Sequence, residues 1–414
     1  MQSAAAPDLT TQCCIAGGGP AGLVLGYLLA RAGVDVIVLE KHADFLRDFR
    51  GDTIHPSTLT VLEDLGLLEA FLELPHQEVA ELTGDAYGEV VTIADFRRLP
   101  APRPFLVLIP QWDFLDFIAD QARQLPNFSL RMGAKALGVI ERDGAVTGAR
   151  VHEGAHEFAI HADLLVGADG RHATIRESAG LANEDFGAPI DVLWFRLPRD
   201  ANDPSRTGGT IRAGAMLVTL NRETYWQCAF VIPKGSLEGL QQRGIEAFRN
   251  NVASLANFLA DATPTLRGWD DVKLLSVQIS MMPRWWRDGL LCIGDAAHAM
   301  SPVGGVGINL AIQDAVAASN LLAEPLRTGC LTPDDLQAVQ RRRQWPARVT
   351  QLAQMAVQNE VLSPALARTG APESVPLPVK LLQRLPLLRR IPARLVGIGV
   401  RPERVRTRPF RKSG

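Results

Sequence analysis

Six residues early in the chain, Gly17-Gly18-Gly19-Pro20-Ala21-Gly22, have the spacing of a phosphate-binding turn. Gly17 permits the tight turn, Gly19 lets the backbone approach a pyrophosphate, and Gly22 lets the following helix pack close to the preceding strand. A helix starting at Pro20-Ala21 offers unpaired N–H groups and positive potential to phosphates. Glu40, followed by Lys41, stands at the offset of ~20 residues where a carboxylate can accept both ribose hydroxyls. The bland alternative, a glycine-rich turn with a surface glutamate, leaves the order of strand, glycines, helix and acid unexplained. The chemistry implied is dinucleotide binding, and this motif does not choose between NAD and FAD.

Two later motifs bear on that choice. One runs from Asp163 through Asp169-Gly170-Arg171 to Arg176. The other is Gly294-Asp295-Ala296-Ala297-His298, followed by Pro302, Gly304, Gly305, Gly307, Ile308 and Asn309. With them the chain resembles the flavoprotein monooxygenases related to p-hydroxybenzoate hydroxylase, over most of residues 12–322.

The resemblance implies FAD. It implies that Gly294-Asp295 binds the ribitol, the acid through its carboxylate. Pro302 and Gly305 would form a flat loop beside the isoalloxazine. The helix starting at Gly307-Ile308 would aim its N-terminus at the N1/O2 edge, with Asn309 capping or bonding the same edge. A helix N-terminus there favours the negative charge of reduced flavin. Arg50 would contact the FAD phosphates or ribityl, and Gly51 and Asp52 would lie near the ring. Asp169 would serve FAD and nicotinamide binding, or only brace the site, and these two readings stand level. The family often has Ser where this chain has Ala173. Gln111 matches a position that bonds the ribityl or phosphate, and it reads equally well as a helix cap.

The activity implied is that of a single-component monooxygenase. NADH or NADPH reduces FAD as a transient cosubstrate, O2 adds at flavin C4a to give a hydroperoxide, and an organic, aromatic substrate takes the distal oxygen. No second G-x-G-x-x-G exists for a separate nicotinamide domain. No catalytic base and no metal ligand set is named by the sequence. His55 and His298 invite an acid–base reading, yet His298 sits inside a cofactor motif and reads as structural. The competing activity is a flavin oxidoreductase without oxygen insertion, of the prenyl-chain reductase kind. A halogenase would need a Trp-x-Trp-x-Ile-Pro element, which is absent. A binding protein that has lost flavin conflicts with the intact Asp295–Pro302 loop.

These residues need a scaffold. Residues 12–16 and 34–39 read as buried strands around a helix at 21–32, the opening of a doubly wound fold. A helix is expected at 114–124, short strands at 139–142, 145–152, 157–161 and 164–167, and a long helix from 307 to 324. From about 186 to 282 alternating strands (192–197, 215–220, 225–232) predict an antiparallel sheet, interrupted by a helix at 245–258. The expected fold is α/β, a Rossmann-like FAD-binding domain with an inserted antiparallel-sheet substrate domain, like p-hydroxybenzoate hydroxylase. Its FAD-binding parts would be residues 1–82, 105–185 and 283–370. The substrate parts would be 83–104 and 186–282, with a basic segment at 371–414. Trp194, Met216, Tyr225 and Trp226 are candidates for the substrate pocket, but their faces are open. Trp285 and Trp286 read as packing residues.

A net charge of −2 excludes a global attraction to nucleic acid. The five cysteines show no disulfide or zinc spacing, and adjacent Cys13 and Cys14 read as core. With no signal-peptide pattern in the opening residues, a reducing cytoplasmic compartment is expected. The uncharged stretch 13–30 approaches membrane length, but its glycines point to strand, turn and helix instead. The last forty residues are rich in Arg, Leu and Pro. They could dock on an anionic membrane, but the favoured expectation is that Leu381, Leu382, Leu385, Leu387 and Leu388 pack on the FAD domain with the arginines outside.

Overall fold

The computed structural model describes residues 7–46, 53–205, 207–212, 214–367 and 377–410. Its central sheet grows from the opening strand, Leu9–Ala16, which pairs in parallel with His156–Gly167 on one side and Val36–Glu40 on the other. Phe128–Met132 and Leu290–Cys292 extend the parallel core outward. Cys13, Cys14 and Ile15 are completely buried, as both-face coverage of a parallel sheet requires. The uncharged stretch near the N-terminus is accordingly a strand, a turn and the helix Pro20–Arg31, which packs on the long helix Gly307–Thr328.

The two strands expected at 157–161 and 164–167 are one continuous strand, His156–Gly167. Phe158, Ile160, Ala162 and Leu164 point inward while His161 and Asp163 point out, so alternation runs unbroken across 162–163. The strand pairs antiparallel with Ala145–Glu153 and parallel with the opening strand, tying the hairpin into the core.

A second sheet has seven strands. In spatial order they are Lys273–Leu275, Ile190–Pro198, Tyr225–Pro233, Ala215–Asn221, Gly208–Arg212, Glu81–Ala86 and Glu89–Asp95. It is not wholly antiparallel. Gly208–Arg212 and Glu81–Ala86 run parallel, because two separate passes of the chain meet there. The meeting is close: a Cβ on Gly84 would lie 2.7 Å from the Gly209 carbonyl oxygen.

Alternation sorts the faces. Leu193, Phe195, Leu197, Trp226, Cys228 and Phe230 pack on the helix Ile245–Leu255 through Phe248 and Val252. Val192, Trp194, Met216, Val218, Ala229 and Val231 face the other way, with Leu362, Leu366 and Val303. Val303 belongs to the loop after Pro302, so this second face looks toward the third motif.

The C-terminal segment packs on the seven-stranded sheet and on the helix Pro56–Asp64, though not chiefly through the expected leucines. Val379 meets Ala86 and Val91, Ala393 joins Phe96, Leu99 and Leu106, and Arg404 pairs with Asp64. Leu382 and Leu388 are half-buried, whereas Leu381, Leu385 and Leu387 are exposed. The turn and helix at Val303–Thr328 are long and apolar enough to cross a membrane, but 78% of that window is buried inside the protein.

Candidate active site

The three motifs meet at the carboxyl end of the parallel sheet, where a doubly wound fold presents its ligand crevice. The opening strand ends at Gly17, whose φ of +117° suits glycine. A Cβ there would lie 2.3 Å from the Ala168 carbonyl oxygen, so the first motif touches the second. A Cβ on Gly22 would lie 1.9 Å from the Gly17 oxygen, which is why the helix can begin this close to the turn. At Gly19 that space is open, with no atom within 4 Å. Pro20 occupies the first helical position, where a missing N–H costs nothing. Glu40 is buried; its carboxylate accepts the N–H groups of Gly18 (3.2 Å) and His42 (3.0 Å). It therefore holds the turn that it was expected to complement. Lys41 is exposed beside it.

The third motif leans on the first. Gly294, at φ +60°, would bring a Cβ within 3.2 Å of that of Ala21. Asp295 is exposed, while Ile293, Gly294, Ala296 and Ala297 around it are buried. Its side chain thus reaches solvent from an otherwise buried turn. Pro302 opens the turn Val303–Gly305, with Gly304 and Gly305 both at positive φ. Gly305 sits against Thr53 and His55. Gly307, Ile308 and Asn309 form the first turn of the long helix, whose opening N–H groups have no intrahelical partners.

The side chain of Asn309 is fully engaged within the protein. Its oxygen accepts the His55 N–H (2.8 Å) and the Thr58 hydroxyl (2.7 Å), and its amide donates to Thr53 and Gly305 carbonyls. What Asn309 has left to offer a ligand is its backbone N–H. Arg50, Gly51 and Asp52 lie outside the described residues. Gln111 begins the helix Gln111–Arg123 directly after Pro110, which occupies the cap position.

Asp169 caps the short helix Thr174–Ser178 in place of a side chain at Ala173: its Oδ2 accepts the Ile175 N–H at 3.0 Å. Its Oδ1 is buried without a hydrogen-bond partner among the described residues. Burial pushes this carboxyl up to about 6, against the pull of the Ile175 N–H and Arg176. Arg176 is turned inward, donating to the carbonyls of Ala296 (3.1 Å) and Arg171 (3.3 Å). It joins the second motif to the third rather than facing the crevice.

Neither histidine is open to a reactant. His298 bonds Asp314, which also accepts from Gly294 N–H (3.1 Å) and from Arg343 Nε (2.9 Å). Burial raises the Asp314 carboxyl, but His298 and Arg343 together hold it below the ordinary carboxylate range. His55 is completely buried, with Nδ1 2.6 Å from the Val396 carbonyl oxygen, and burial lowers its pKa to about 4. Trp285 is buried against the His298 ring at 4.9 Å, a packing role as expected.

The sequence reading missed how the third motif is held from behind. The helix Pro333–Val357 and the π-turn Gln358–Leu362 present Gln351, Gln354 and Gln358 on one side. Gln351 donates to the carbonyls of Ser280 and Ala299, Gln354 to those of Ser301 and Val303, and Gln358 to the Ser301 hydroxyl, all at 2.7–2.9 Å. Glutamine is an ordinary helix residue, so only the spacing of 351, 354 and 358 could have marked one face. Asp314 and Arg343 carried a better signal: an acid set among apolar residues in the first half of the long helix, needing a buried partner.

These features fit an FAD: a glycine turn with room at Gly19, a helix N-terminus above it, a carboxylate on the second strand, and a second glycine loop with its own helix start. Comparison with known proteins decides the matter. Residues 10–353 match the FAD binding domain family. The chain is 34% identical over 405 residues to 6-methylpretetramide 4-monooxygenase of Streptomyces rimosus, covering 97% of this chain and 95% of that protein. The chain belongs to the FAD-dependent monooxygenases. It is also 28% identical, over 73% of its length, to 12-dehydrotetracycline 5-monooxygenase/anhydrotetracycline 6-monooxygenase of Streptomyces rimosus subsp. rimosus, and spans 60% of that relative. Among solved structures, PqsL from Pseudomonas aeruginosa superposes with a TM-score of 0.72 at 21% identity, covering 87% of this chain and 97% of that one. OxyS anhydrotetracycline hydroxylase from Streptomyces rimosus superposes at 0.74 and 23%, covering 94% and 76%. At these identities both likenesses show the fold: this monooxygenase is built like the class A flavoprotein hydroxylases, and its cofactor is FAD.

Proposed function

We propose that this monooxygenase hydroxylates an electron-rich aromatic compound, with 6-methylpretetramide, the compound in the name of its 34%-identical relative, and other phenolic compounds the first to try. The observation that carries the proposal is the junction of three turns at one crevice, with Asp295 the exposed member of a buried loop. When bound and reduced by NADH or NADPH, the flavin would activate O2 at its C4a position and supply the oxygen atom that enters the substrate.

The chain's own residues would do the rest. Gly17, Gly19, Pro20, Ala21 and Gly22 would seat the pyrophosphate on the helix N-terminus. Glu40 and Lys41 would take the adenosine ribose side. Asp295 would bind the ribityl chain, Gln111 and Arg50 the ribityl or phosphates, and Gly51 and Asp52 would lie near the ring. Pro302, Gly305, Gly307, Ile308 and the N–H of Asn309 would line the ring and favour negative charge on it. Asp169 would brace the crevice through its cap and offer its unpaired oxygen to the cofactor region. Trp194 and Met216, on the sheet face shared with Val303, would bound the substrate and help exclude water. Trp226 would not, since it is buried on the other face. No side chain is assigned as a base.

The test is a screen of phenols and polycyclic phenolic compounds for those that accelerate NADH or NADPH oxidation by the yellow holoenzyme. A class of phenols that accelerates it is expected. A protein that reduces its flavin at one rate whatever aromatic is present, and passes electrons to an alkene instead, would contradict the proposal.

A further inference from the structure

The C-terminal segment carries its apolar residues on the wrong side for a purely packed tail. Helix Leu377–Arg384 is tied to the edge strand of the seven-stranded sheet by Gln383, which exchanges bonds with the Thr92 backbone at 3.0 and 3.4 Å. Val379 packs on Val91 beside it. That attachment turns Leu381 outward, and Leu385 one turn further on, whose N–H donates to the Leu381 carbonyl at 2.9 Å. Leu387 follows in the next turn and Ile391 four residues later, in helix Arg390–Gly397. These four are 48%, 50%, 66% and 65% exposed. Single exposed aliphatics are ordinary; four within eleven residues make a patch.

Cations are threaded between them. Arg384, Arg390 and Arg394 are exposed and Lys380 is half-exposed. Between Leu377 and Pro402 the chain has no acidic residue at all, in a protein whose net charge is −2. The adjoining strand adds Glu89, and Asp95, which Arg97 engages. The same 26-residue stretch contains no Phe, Tyr or Trp, the aromatics enriched at protein interfaces, and its exposed apolar residues are mostly Leu, which is under-represented among interface hot spots. Arg389 instead closes the first helix, donating to the Leu382 carbonyl at 2.9 Å.

We propose that this segment is a docking surface for an anionic lipid membrane. Leu381, Leu385, Leu387 and Ile391 enter the boundary between headgroups and acyl chains, and the guanidinium groups of Arg384, Arg390 and Arg394 remain among the lipid phosphates. The turn at Leu385–Pro386 separates helix Leu377–Arg384 from Arg390–Gly397, and at eight residues each these helices lie on a surface and are too short to span a bilayer. Ala393 and Val396 of the same segment reach the Phe96 cluster and the buried His55 beside Gly305. The lipid-facing surface is therefore one packing layer from the candidate cofactor loop, and an apolar substrate dissolved in the bilayer would be delivered close to it.

The test is sedimentation of the full-length holoenzyme with phosphatidylcholine vesicles, with and without phosphatidylserine. Sedimentation is expected only with phosphatidylserine, and added salt should release it. The variant Arg384→Gln/Arg390→Gln/Arg394→Gln should lower vesicle partition roughly a hundred-fold, at about a factor of five per cation. The variant Leu385→Ser/Leu387→Ser/Ile391→Ser should also lower it, and both should keep the flavin content of the unaltered enzyme, which separates loss of docking from loss of fold. Equal sedimentation with both vesicle types, or none with either, would overturn the proposal. So would a serine variant that converts a dimer to a monomer without vesicles, which would show that a second copy covers the patch.

Discussion

The two sides of the crevice are built by different rules. On the parallel-sheet side the candidate contacts are backbone, and glycines stand where a Cβ would collide at 1.9–2.3 Å with the chain itself. On the seven-stranded side they are side chains on one face of a sheet, and both faces are apolar. A turn that excludes every residue but one writes itself into the sequence. A sheet face does not, because alternation says only that Trp194 and Trp226-like neighbours part company, not which of them meets the cofactor side.

The sharpest way to break this comparison is Gly22→Ala. The added Cβ would sit 1.9 Å from the Gly17 oxygen, so the turn or the helix must move. A loss of about 3 kcal/mol or more is expected, read as a fall in denaturant midpoint together with loss of bound FAD. Unchanged stability would mean that the turn is not packed as described.

Next comes the pair of tryptophans. Trp226 is fully buried in the helix-facing core, and Trp226→Ala should cost about 3–5 kcal/mol of stability. Trp194→Ala should cost much less and instead raise KM for the aromatic substrate. The reverse pattern would exchange the two faces.

For Asp295→Ala, FAD affinity should fall by about 1.5–3 kcal/mol, the range of a charge-assisted hydrogen bond. Asp169→Ala should lose less, because one of its oxygens already serves as a helix cap. Equilibrium dialysis of FAD against each variant compares them directly, and equal retention by wild type and the Asp295 variant would remove Asp295 from the site. The smallest effect concerns the support behind the loop. Gln354→Leu leaves two backbone carbonyls, those of Ser301 and Val303, without their donor, at about 1–3 kcal/mol. It should also change the flavin absorption and fluorescence spectrum, and Gln354→Glu should not restore it, because the donors are lost.

The order of strand, turn and helix from Leu9 to Glu40 was legible because each step has its own residue chemistry: apolar run, glycines, proline at the helix start, acid at the strand end. In the seven-stranded sheet the strands near 192–197, 215–220 and 225–232 were legible, but the parallel pairing of Gly208–Arg212 with Glu81–Ala86 was not. That pairing joins residues more than a hundred positions apart and leaves no local trace. His156–Gly167 was read as two strands, and the structure makes it one, with Asp163 on the outer face between the buried Ala162 and Leu164. The Gln351–Gln354–Gln358 column was invisible for a similar reason: what distinguishes it is the loop it faces, and that loop lies some fifty residues away in the chain. The tail misled in the opposite direction. Its leucines suggested packing, but Gln383 and Val379 take the inner side, and a contact made by Gln383 through the Thr92 backbone has no sequence signature.

The central claim, that this chain inserts oxygen rather than only moving electrons, is tested most directly with isotopically labelled O2. Holoenzyme, NADH or NADPH and an aromatic compound that accelerates nicotinamide oxidation should yield a product carrying one labelled oxygen atom per turnover, detected by mass spectrometry. A product with no label, or nicotinamide consumption matched entirely by labelled hydrogen peroxide for every accelerating compound, would contradict it.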